Sequence, residues 1–271
     1  MEAALDAIRE DTACKQPEHE LGLLPAGTAL ERGKWARIRE MVNAHNEHSL
    51  SIVESALFHV WLDDQKPTSD EATTRQHLCR RSLHGNGANI WFDKSYTMIF
   101  FDDGQFTLNC EHSWADGAVT CHVAEETNVI EHVCITYDAD TGKIQPENGD
   151  RQPVEYLCLK WHNLKEDVIP LLKDEMGGVT KRIDELDVGH LDFKKFGKEE
   201  IKKWKTSPDA ICQMALQLAN FKMRAKFSMT YEAGLARIFK DGRTETIRSC
   251  SAHSIKFVNQ MMDEKSSKGV E

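Results

Sequence analysis

The 271-residue sequence predicts an α/β fold, because strand-like and helix-like patterns both occur along it. Two runs rich in β-forming residues, Tyr96 to Phe101 and Gln105 to Glu111, are separated by Asp102-Asp103-Gly104. A short glycine-containing turn between two such runs is typical of a β-hairpin. The helical pattern consists of apolar residues at the i, i+3, i+4 spacing of one buried face: Trp35, Ile38, Met41 and Val42.

The first part of the chain predicts helices on either side of one buried strand. Residues 1 to 28 are polar and predict a partial helix followed by a loop, and a second helix is expected over Leu30 to Asn46. The apolar run Ser51 to Leu62 predicts a buried strand after a short helical turn. A charged surface helix or loop is expected over residues 67 to 80, and a turn over His84 to Gly87.

The middle of the chain contains a candidate domain boundary. No clear pattern follows Gly117 until Asp138 to Arg151, a stretch rich in Gly, Asp and Asn that predicts a loop. Tyr156 to Trp161 then predicts a strand. Asn163 to Leu186 predicts a helical stretch that is interrupted at Gly177-Gly178.

The last part of the chain contains the clearest helix start. In Thr206-Ser207-Pro208-Asp209 the serine can cap, proline suits the first turn, and the aspartate complements the helix dipole. The expected buried face of that helix consists of Ile211, Met214, Ala215 and Leu218. Tyr231 to Ile247 gives mixed signals, and Ser254 to Met262 predicts a final helix.

Composition excludes several classes of function. The net charge of −10 argues against a general nucleic-acid or anionic-membrane surface. No apolar run approaches the roughly 20 residues that a membrane-spanning helix needs, and Met1 to Cys14 lacks the apolar segment of a signal peptide. The chain is therefore expected to be soluble and intracellular.

Eight cysteines are scattered without paired spacing, which predicts reduced thiols rather than a disulfide framework. The nearest approach to a metal-binding pattern is formed by Cys110, His112, Cys121 and His122. These residues lack the clustered ligand spacing of zinc sites, so no metal is expected.

His112 is the first candidate for chemistry. It follows the second strand of the predicted hairpin, with Asp116 four residues later and Gly117 behind it. A histidine in a tight turn suits a general base at neutral pH. The alternative is a hydrogen-bonded structural histidine, with Asp116 forming a salt bridge that holds the loop.

A lysine-rich segment is the second candidate. Six lysines lie between residues 194 and 205, immediately before the helix that Ser207 caps. Lysines and helix N-termini both attract phosphates, so this segment could bind a phosphorylated cofactor. The alternative is a solvated charged face.

The third candidate consists of the segments Thr230 to Ala233 and Gly242 to Ser249. Tyrosine and threonine hydroxyls beside arginines could bind a small carboxylate. The alternative is an ordinary polar strand or loop.

Taken together, several segments resemble those of the choline/carnitine acyltransferase family in their order and in their residues. They are WFDKS (91–95), EHSWADG (111–117), FGKEEIKK (196–203), TSPDA (206–210), TYEA (230–233) and GRTET (242–246). The match runs from about Trp35 to Val258. It is closest to the carnitine palmitoyltransferases, and among these to the type I enzymes.

The resemblance implies a two-domain CoA-dependent acyltransferase fold, like that of chloramphenicol acetyltransferase, of which this chain is an incomplete part. Residues 1–150 would belong to the N-terminal domain with the catalytic histidine, and residues 151–271 to the C-terminal domain. Acyl-CoA or CoA would be a co-substrate, and no tightly bound cofactor is expected.

The same resemblance implies roles for individual residues. The reaction would transfer an acyl group, palmitoyl or another long chain, between CoA and the carnitine hydroxyl, with His112 as general base and no acyl-enzyme. Lys198, Lys202 and Asp209 would bind CoA. Tyr231 and Thr244 would bind the carnitine carboxylate, and Asp116 would be a structural carboxylate paired with an arginine.

The sequence also departs from the family pattern. Family members are at least about twice as long, and their Ser-Thr-Ser stretch, which supplies an oxyanion donor, does not occur here. The chain is therefore expected to lack the N-terminal part and the C-terminal end.

One alternative function is that of an inactive fragment, which acts at most as a CoA-ester-binding or interaction module. A choline acetyltransferase is a more distant alternative.

The resemblance to carnitine palmitoyltransferases also implies a mitochondrial location, and a full-length type I enzyme lies in the outer membrane.

Overall fold

The computed structural model describes residues 2–10, 21–63, 71–144 and 156–263. The chain divides into two compact units, Met1–His190 and Leu191–Glu271. Both contain helices and strands, which confirms the predicted α/β class. The assignment of residues 1–150 and 151–271 to two domains of a larger enzyme stays a prediction.

The first unit contains helices around a small sheet. Its helices are α1 (Glu2–Glu10), a 3₁₀ helix (Leu21–Ala29), α2 (Arg32–Ser55), α3 (Glu71–Leu83), α4 (Gly117–Cys134) and α5 (Val168–Asp184). Its strands are β1 (His59–Asp63), β2 (Tyr96–Phe101) and β3 (Phe106–Cys110). Within the described ranges, no helix combines the length and the apolar character needed to cross a membrane.

The sheet has the order β1-β2-β3, and its second and third strands form the predicted hairpin. β1 is parallel to β2, whereas β2 and β3 are antiparallel, with Tyr96 opposite Cys110 and Phe100 opposite Phe106. The turn between them contains Gly104 at φ +82°, a conformation that favours glycine. The hairpin therefore brings the chain to His112 two residues after β3 ends.

Helix α2 supplies much of the core of this unit. Glu31 caps it by accepting from the backbone N–H groups of Gly33 at 3.0 Å and Lys34 at 3.2 Å. Trp35, Ile38 and Val42 are buried as predicted, whereas Met41 is 38% exposed. The helix continues nine residues past its predicted end, because Leu50 and Val53 extend the buried face.

The main hydrophobic core joins α2 to the 3₁₀ helix and α5. Its members with the lowest exposure are Leu24, Val42, Leu50, Val168, Ile169 and Leu172. Burying each of these side chains stabilises the fold by about 1.5–3 kcal/mol. A second, smaller cluster, formed by Ile90, Ile99 and Phe101, lies at the sheet.

The predicted strand Tyr156 to Trp161 is wrong. This segment is irregular, and side chains of α2 bind part of the backbone that a neighbouring strand would otherwise pair with. Ser49 Oγ donates to the Lys160 carbonyl at 2.7 Å. Asn46 donates to the His162 carbonyl at 2.9 Å and accepts from its N–H at 2.6 Å. These bonds also explain why Asn46, at φ −138°, interrupts the regular geometry of α2.

The predicted interruption at Gly177-Gly178 is also wrong, because α5 runs through both glycines. Each glycine in a helix interior costs about 1 kcal/mol relative to alanine. The packing of Leu172 and Val179 into the core offsets that cost. Val179 also contacts the predicted turn at His84 to Gly87, where a Cβ on Gly87 (φ +75°) would lie 2.6 Å from Val179 Cγ1.

The helix after Gly117 was not predicted. None of the residues of α4 is buried, so its sequence carries no strong apolar periodicity. Helix α3 matches the surface helix expected over residues 67 to 80. Of the loop expected over residues 138 to 151, residues up to Ile144 form a turn; residues 145–151, like residues 11–20 and 64–70, lie outside the described ranges.

Six described cysteines carry free thiols, as predicted: Cys79, Cys110, Cys121, Cys134, Cys212 and Cys250. Cys158 is disulfide-bonded, which corrects the expectation of reduced thiols at that position. Disulfide formation requires two Cα atoms within about 7 Å, which depends on the fold and not on sequence spacing.

The described residues of the second unit, 191–263, form three helices and a hairpin. They are α6 (Lys198–Lys203), α7 (Pro208–Arg224), β4 (Glu232–Leu235), β5 (Thr244–Ile247) and α8 (Ala252–Met262), with β4 antiparallel to β5. The predicted start of α7 is confirmed: Ser207 Oγ accepts from Ala210 N at 3.3 Å, and Pro208 is the first helical residue. Of the predicted apolar face of α7, Ile211, Met214 and Leu218 are only partly buried and Ala215 is exposed, whereas the one buried residue of the helix is Gln217. The predicted final helix is confirmed as α8.

Candidate functional site

His112 lies in the loop between β3 and α4. Its imidazole is 78% exposed, and its Nδ1 is 3.6 Å from Oδ1 of Asp116, whose side chain is 15% exposed. That distance is longer than a hydrogen bond but short enough for an electrostatic interaction. Asp116 occupies the N-cap position of α4 without capping the helix through its side chain. The spacing of four residues did not predict this approach, and the expected arginine partner of Asp116 stays a prediction.

Four hydrogen bonds made by the residues around His112 hold the loop in place. The Glu111 carboxylate accepts from Ser113 N at 3.0 Å and from Ser113 Oγ at 2.6 Å. The Ser95 carbonyl accepts from Glu111 N at 3.2 Å and from Trp114 Nε1 at 3.1 Å. The segments WFDKS and EHSWADG, far apart in sequence, therefore meet at Ser95.

Lys94 is the residue of this region that sequence reasoning missed. It is 7% exposed, and its Nζ donates to the carbonyls of Glu54 at 2.6 Å and Ala56 at 3.3 Å, at the C-terminal end of α2. Burial lowers the pKa of this amine, and the negative charges of Asp93 and Glu54 oppose that change. A lysine in a polar motif is normally exposed, so only the fold reveals this role.

His59, at the start of β1, packs edge-on against Trp91 with ring centroids 6.2 Å apart. Burial lowers the pKa of His59 below its usual value of 6.5, and the positive charge of Lys94 lowers it further. The unfolded chain therefore binds more protons at this residue than the folded chain between the lowered pKa and 6.5.

We expect stability to fall as the pH drops below about 6.5 into that window, because His59 must then be kept neutral by the fold. The urea midpoint should decrease between pH 7 and pH 5.5, and His59→Asn should reduce this slope. The exposed His48 on α2 provides the control, since His48→Asn should leave the slope unchanged. Equal slopes for wild type and His59→Asn would contradict the expectation.

A cavity of about 340 Å³ lies between the β2–β3 hairpin and α4. It is lined mainly by apolar side chains and by a few polar ones: Tyr96, Met98, Phe106, Leu108, Trp114, Thr120, Val123, Ala124, Thr127, Asn128 and Glu131. Its size lies at the lower end of small-molecule sites. Trp114, two residues from His112, forms part of its wall.

In the second unit, the predicted CoA-binding residues lie on two consecutive helices, Lys198 and Asp209 in the first turns of α6 and α7 and Lys202 in the last turn of α6. Lys198 is the first residue of α6, and Lys202 forms an ion pair with Glu199 at 3.1 Å. Asp209 lies in the first turn of α7, beside the Ser207 cap. The side chains of Lys198, Lys202 and Asp209 are exposed and accessible to a ligand.

The predicted carnitine-binding residues flank the second hairpin. Tyr231 precedes β4 and is 62% exposed, and Thr244 is the first residue of β5 and pairs with Leu235. Leu235, which pairs with Thr244, comes four residues after Tyr231. At the usual rise per residue, Tyr231 and Thr244 are therefore about 13 Å apart in the direction of the strand. The buried Gln217 of α7 donates to Thr230 Oγ1 at 2.7 Å and fixes the chain immediately before Tyr231.

Within the described part of the chain, no group of three or more His, Cys, Asp or Glu side chains is arranged to hold a metal ion. Of the predicted site residues, the structure brings His112 and Asp116 together in the first unit. It places the other five in the second unit, on helices α6 and α7 and at the second hairpin.

Comparisons with known proteins match the whole chain. The sequence model of the choline/carnitine O-acyltransferase family covers residues 1–271. Carnitine O-palmitoyltransferase 1, liver isoform, from Homo sapiens is 37% identical over a match of 271 aligned positions that covers 97% of this chain and 34% of that protein. The muscle isoform from Rattus norvegicus is 36% identical over 267 residues, with the same coverage.

A relative of a second type is similar to a lesser degree. Carnitine O-palmitoyltransferase 2, mitochondrial, from Xenopus tropicalis is 33% identical over 259 residues, which are 94% of this chain and 37% of that protein. The chain thus spans about a third of the length of the curated relatives that it matches.

Proposed function

The chain belongs to the choline/carnitine O-acyltransferase family, and from that membership we propose that it is part of an enzyme that transfers a long-chain acyl group between CoA and the hydroxyl of carnitine. The relatives' names specify carnitine and palmitoyl groups, which favours these substrates over choline and short acyl chains. We also propose the two-domain chloramphenicol acetyltransferase-like architecture and, from the name of the type 2 relative, a mitochondrial location.

The observation that carries the proposal is the geometry at His112, an accessible imidazole with a carboxylate 3.6 Å from Nδ1. The carboxylate lies on the Nδ1 side of the ring, which leaves the other nitrogen to be considered for the reaction. Because Asp116 faces Nδ1, we assign the role of general base to Nε2.

A single base is sufficient for the reaction, because the proton that it removes is later returned to the leaving group. Nε2 of His112 removes the proton of the carnitine hydroxyl as its oxygen attacks the thioester carbonyl. The new C–O bond forms, the C–S bond breaks, and the imidazolium returns the proton to the CoA thiolate. The thiol and the acylcarnitine are the products, and no cysteine of the chain takes part.

The cavity beside Trp114 has the apolar walls that would bind the hydrocarbon chain of an acyl group. Its walls are formed by Met98, Leu108 and Val123 among others, and it lies next to the loop that carries His112. Apolar volume of this kind binds hydrocarbon by removing it from water, with about 0.8 kcal/mol for each buried CH₂.

The test is release of CoA thiol from palmitoyl-CoA by the purified chain, with and without carnitine. We expect release that requires carnitine, that choline does not replace, and that is slower with acetyl-CoA. Release at the same rate without carnitine, or no release at all, would refute the proposal for this chain.

The proposed CoA site gives a separate prediction. Lys198→Ala and Lys202→Ala should each weaken the binding of CoA about tenfold, because each removes a charge-assisted contact to phosphate. Calorimetric titration with CoA and with dephospho-CoA measures this loss. Lys181→Ala, which removes an exposed lysine of α5, is the control for net charge. Unchanged affinity in both lysine variants would eliminate this assignment.

A further inference from the structure

A single carbonyl oxygen, that of Ser95, holds the chain on both sides of His112. It accepts from the backbone N–H of Glu111 at 3.2 Å and from the indole N–H of Trp114 at 3.1 Å. Glu111 immediately precedes His112, and Trp114 follows it by two residues. Most of the His112 ring faces solvent. The two bonds fix the chain before and after His112, and they therefore restrict the positions that the ring can occupy.

We propose that Trp114 is a positioning residue for His112, which it holds in place through its hydrogen bond to the Ser95 carbonyl. The inference rests on the proposed function in that it assigns His112 as the base. Trp114 itself acts through the loop and need not touch the reacting atoms.

The acceptor of this bond is itself fixed. Lys94, next to Ser95, is buried and donates to the Glu54 and Ala56 carbonyls at the end of α2. On the other side of Ser95, β2 begins at Tyr96 and pairs with both neighbouring strands. The Ser95 carbonyl is therefore tied to the core helix and to the sheet, and it cannot move to follow a mobile loop.

The donor is equally well defined. The Trp114 ring is 44% exposed and forms a wall of the cavity, whereas the next residue, Ala115, is buried. An indole has one N–H and donates along one direction, so the bond to Ser95 fixes the ring and the backbone that carries it. Phenylalanine would keep most of the apolar surface of the ring and lose only the donor.

The consequence for catalysis is specific. Proton transfer depends on the distance and angle between base and hydroxyl, and a misplacement of about 1 Å can cost 100-fold in rate. We expect Trp114→Phe to lower kcat by about tenfold and to leave KM for palmitoyl-CoA within about twofold. A residue that only stabilised the fold would lower the melting temperature and leave kcat unchanged below it.

The experiment uses the full 271-residue chain and two readouts. The first is kcat and KM at a temperature where each variant is folded. The second is the order parameter of the His112 ring, from ¹³C relaxation of histidine-labelled chain, with the signal assigned by its loss in His112→Ala. In Trp114→Phe the ring order parameter should fall below its wild-type value, toward the flexible range below about 0.6.

The control is Trp204→Phe, which alters a tryptophan of similar exposure, 48%, in the second unit and should leave the His112 ring order unchanged. Wild-type ring order in Trp114→Phe would overturn the proposal, as would a loss of kcat equal to that of Trp204→Phe. If the wild-type chain shows no carnitine-dependent release, the proposed function fails. The ring order still decides whether Trp114 holds His112.

Discussion

Replacing His112 by alanine is expected to lower kcat for carnitine-dependent CoA release by at least about 100-fold, the smaller end of the usual contribution of a general base. The carnitine hydroxyl is a poor nucleophile until its proton is removed. The imidazole that we assign to this step is exposed to solvent and close to the Asp116 carboxylate. KM for palmitoyl-CoA should change little, because the assigned CoA contacts lie on other residues.

The fold should tolerate this change, since a side chain that is 78% exposed contributes little to packing. His122→Ala, which removes an exposed histidine of α4, is the matched control and should retain wild-type kcat. If His112→Ala keeps more than a tenth of the wild-type kcat while remaining folded, His112 is not the base.

The second large effect concerns stability. Arg81 of α3 donates to the Asp63 carboxylate at the end of β1, with Nε 3.0 Å from Oδ2, and its guanidinium lies 4.8 Å from the Trp61 ring centroid. The two side chains are only 11% and 2% exposed. Arg81→Met should therefore lower the free energy of unfolding by about 3–5 kcal/mol, because it breaks a buried ion pair by removing one of its two charges.

The exposed pair of Arg39 and Glu54, with side chains 39% and 40% exposed, is the control. Arg39→Met should cost about 1 kcal/mol or less, since solvent screens exposed pairs. Urea denaturation measures both changes. The double variant Asp63→Leu with Arg81→Met should recover much of the loss, because no buried charge remains. Equal losses from Arg81→Met and Arg39→Met would contradict the buried-pair account.

Local signals in the sequence were sufficient where a structural element depends on few distant contacts. The β2–β3 hairpin follows from its turn residues and its β-rich runs, and the start of α7 follows from the Ser207 cap and Pro208. Both prescribe backbone geometry within a few residues. The same is true of α8, whose first turn is closed by Ser251 and Ser254.

The sequence failed where distant partners decide the structure. Tyr156 to Trp161 has a strand-like composition, but Asn46 and Ser49 of α2 bind part of the backbone of 160–162. Helix α5 continues through two glycines because its other residues pack into the core. Neither outcome can be obtained from local propensity, since tertiary packing overrides it.

For the candidate site, the sequence predicted His112 as a functional residue but did not predict what surrounds it. The approach of Asp116 to Nδ1 depends on the loop conformation, and the bond from Trp114 ends on a backbone carbonyl, which no residue type reveals. The burial of Lys94 was unpredictable for the same reason, because its acceptors are the carbonyl groups that end α2.

Transfer of an acyl group to carnitine with His112 as base can be followed by incubating the chain with ¹³C-palmitoyl-CoA and carnitine and measuring labelled palmitoylcarnitine by mass spectrometry. We expect wild type and His122→Ala to form the labelled ester and His112→Ala to form at least about 100-fold less. Labelled free palmitate without the ester, or equal ester formation by His112→Ala, would contradict this expectation.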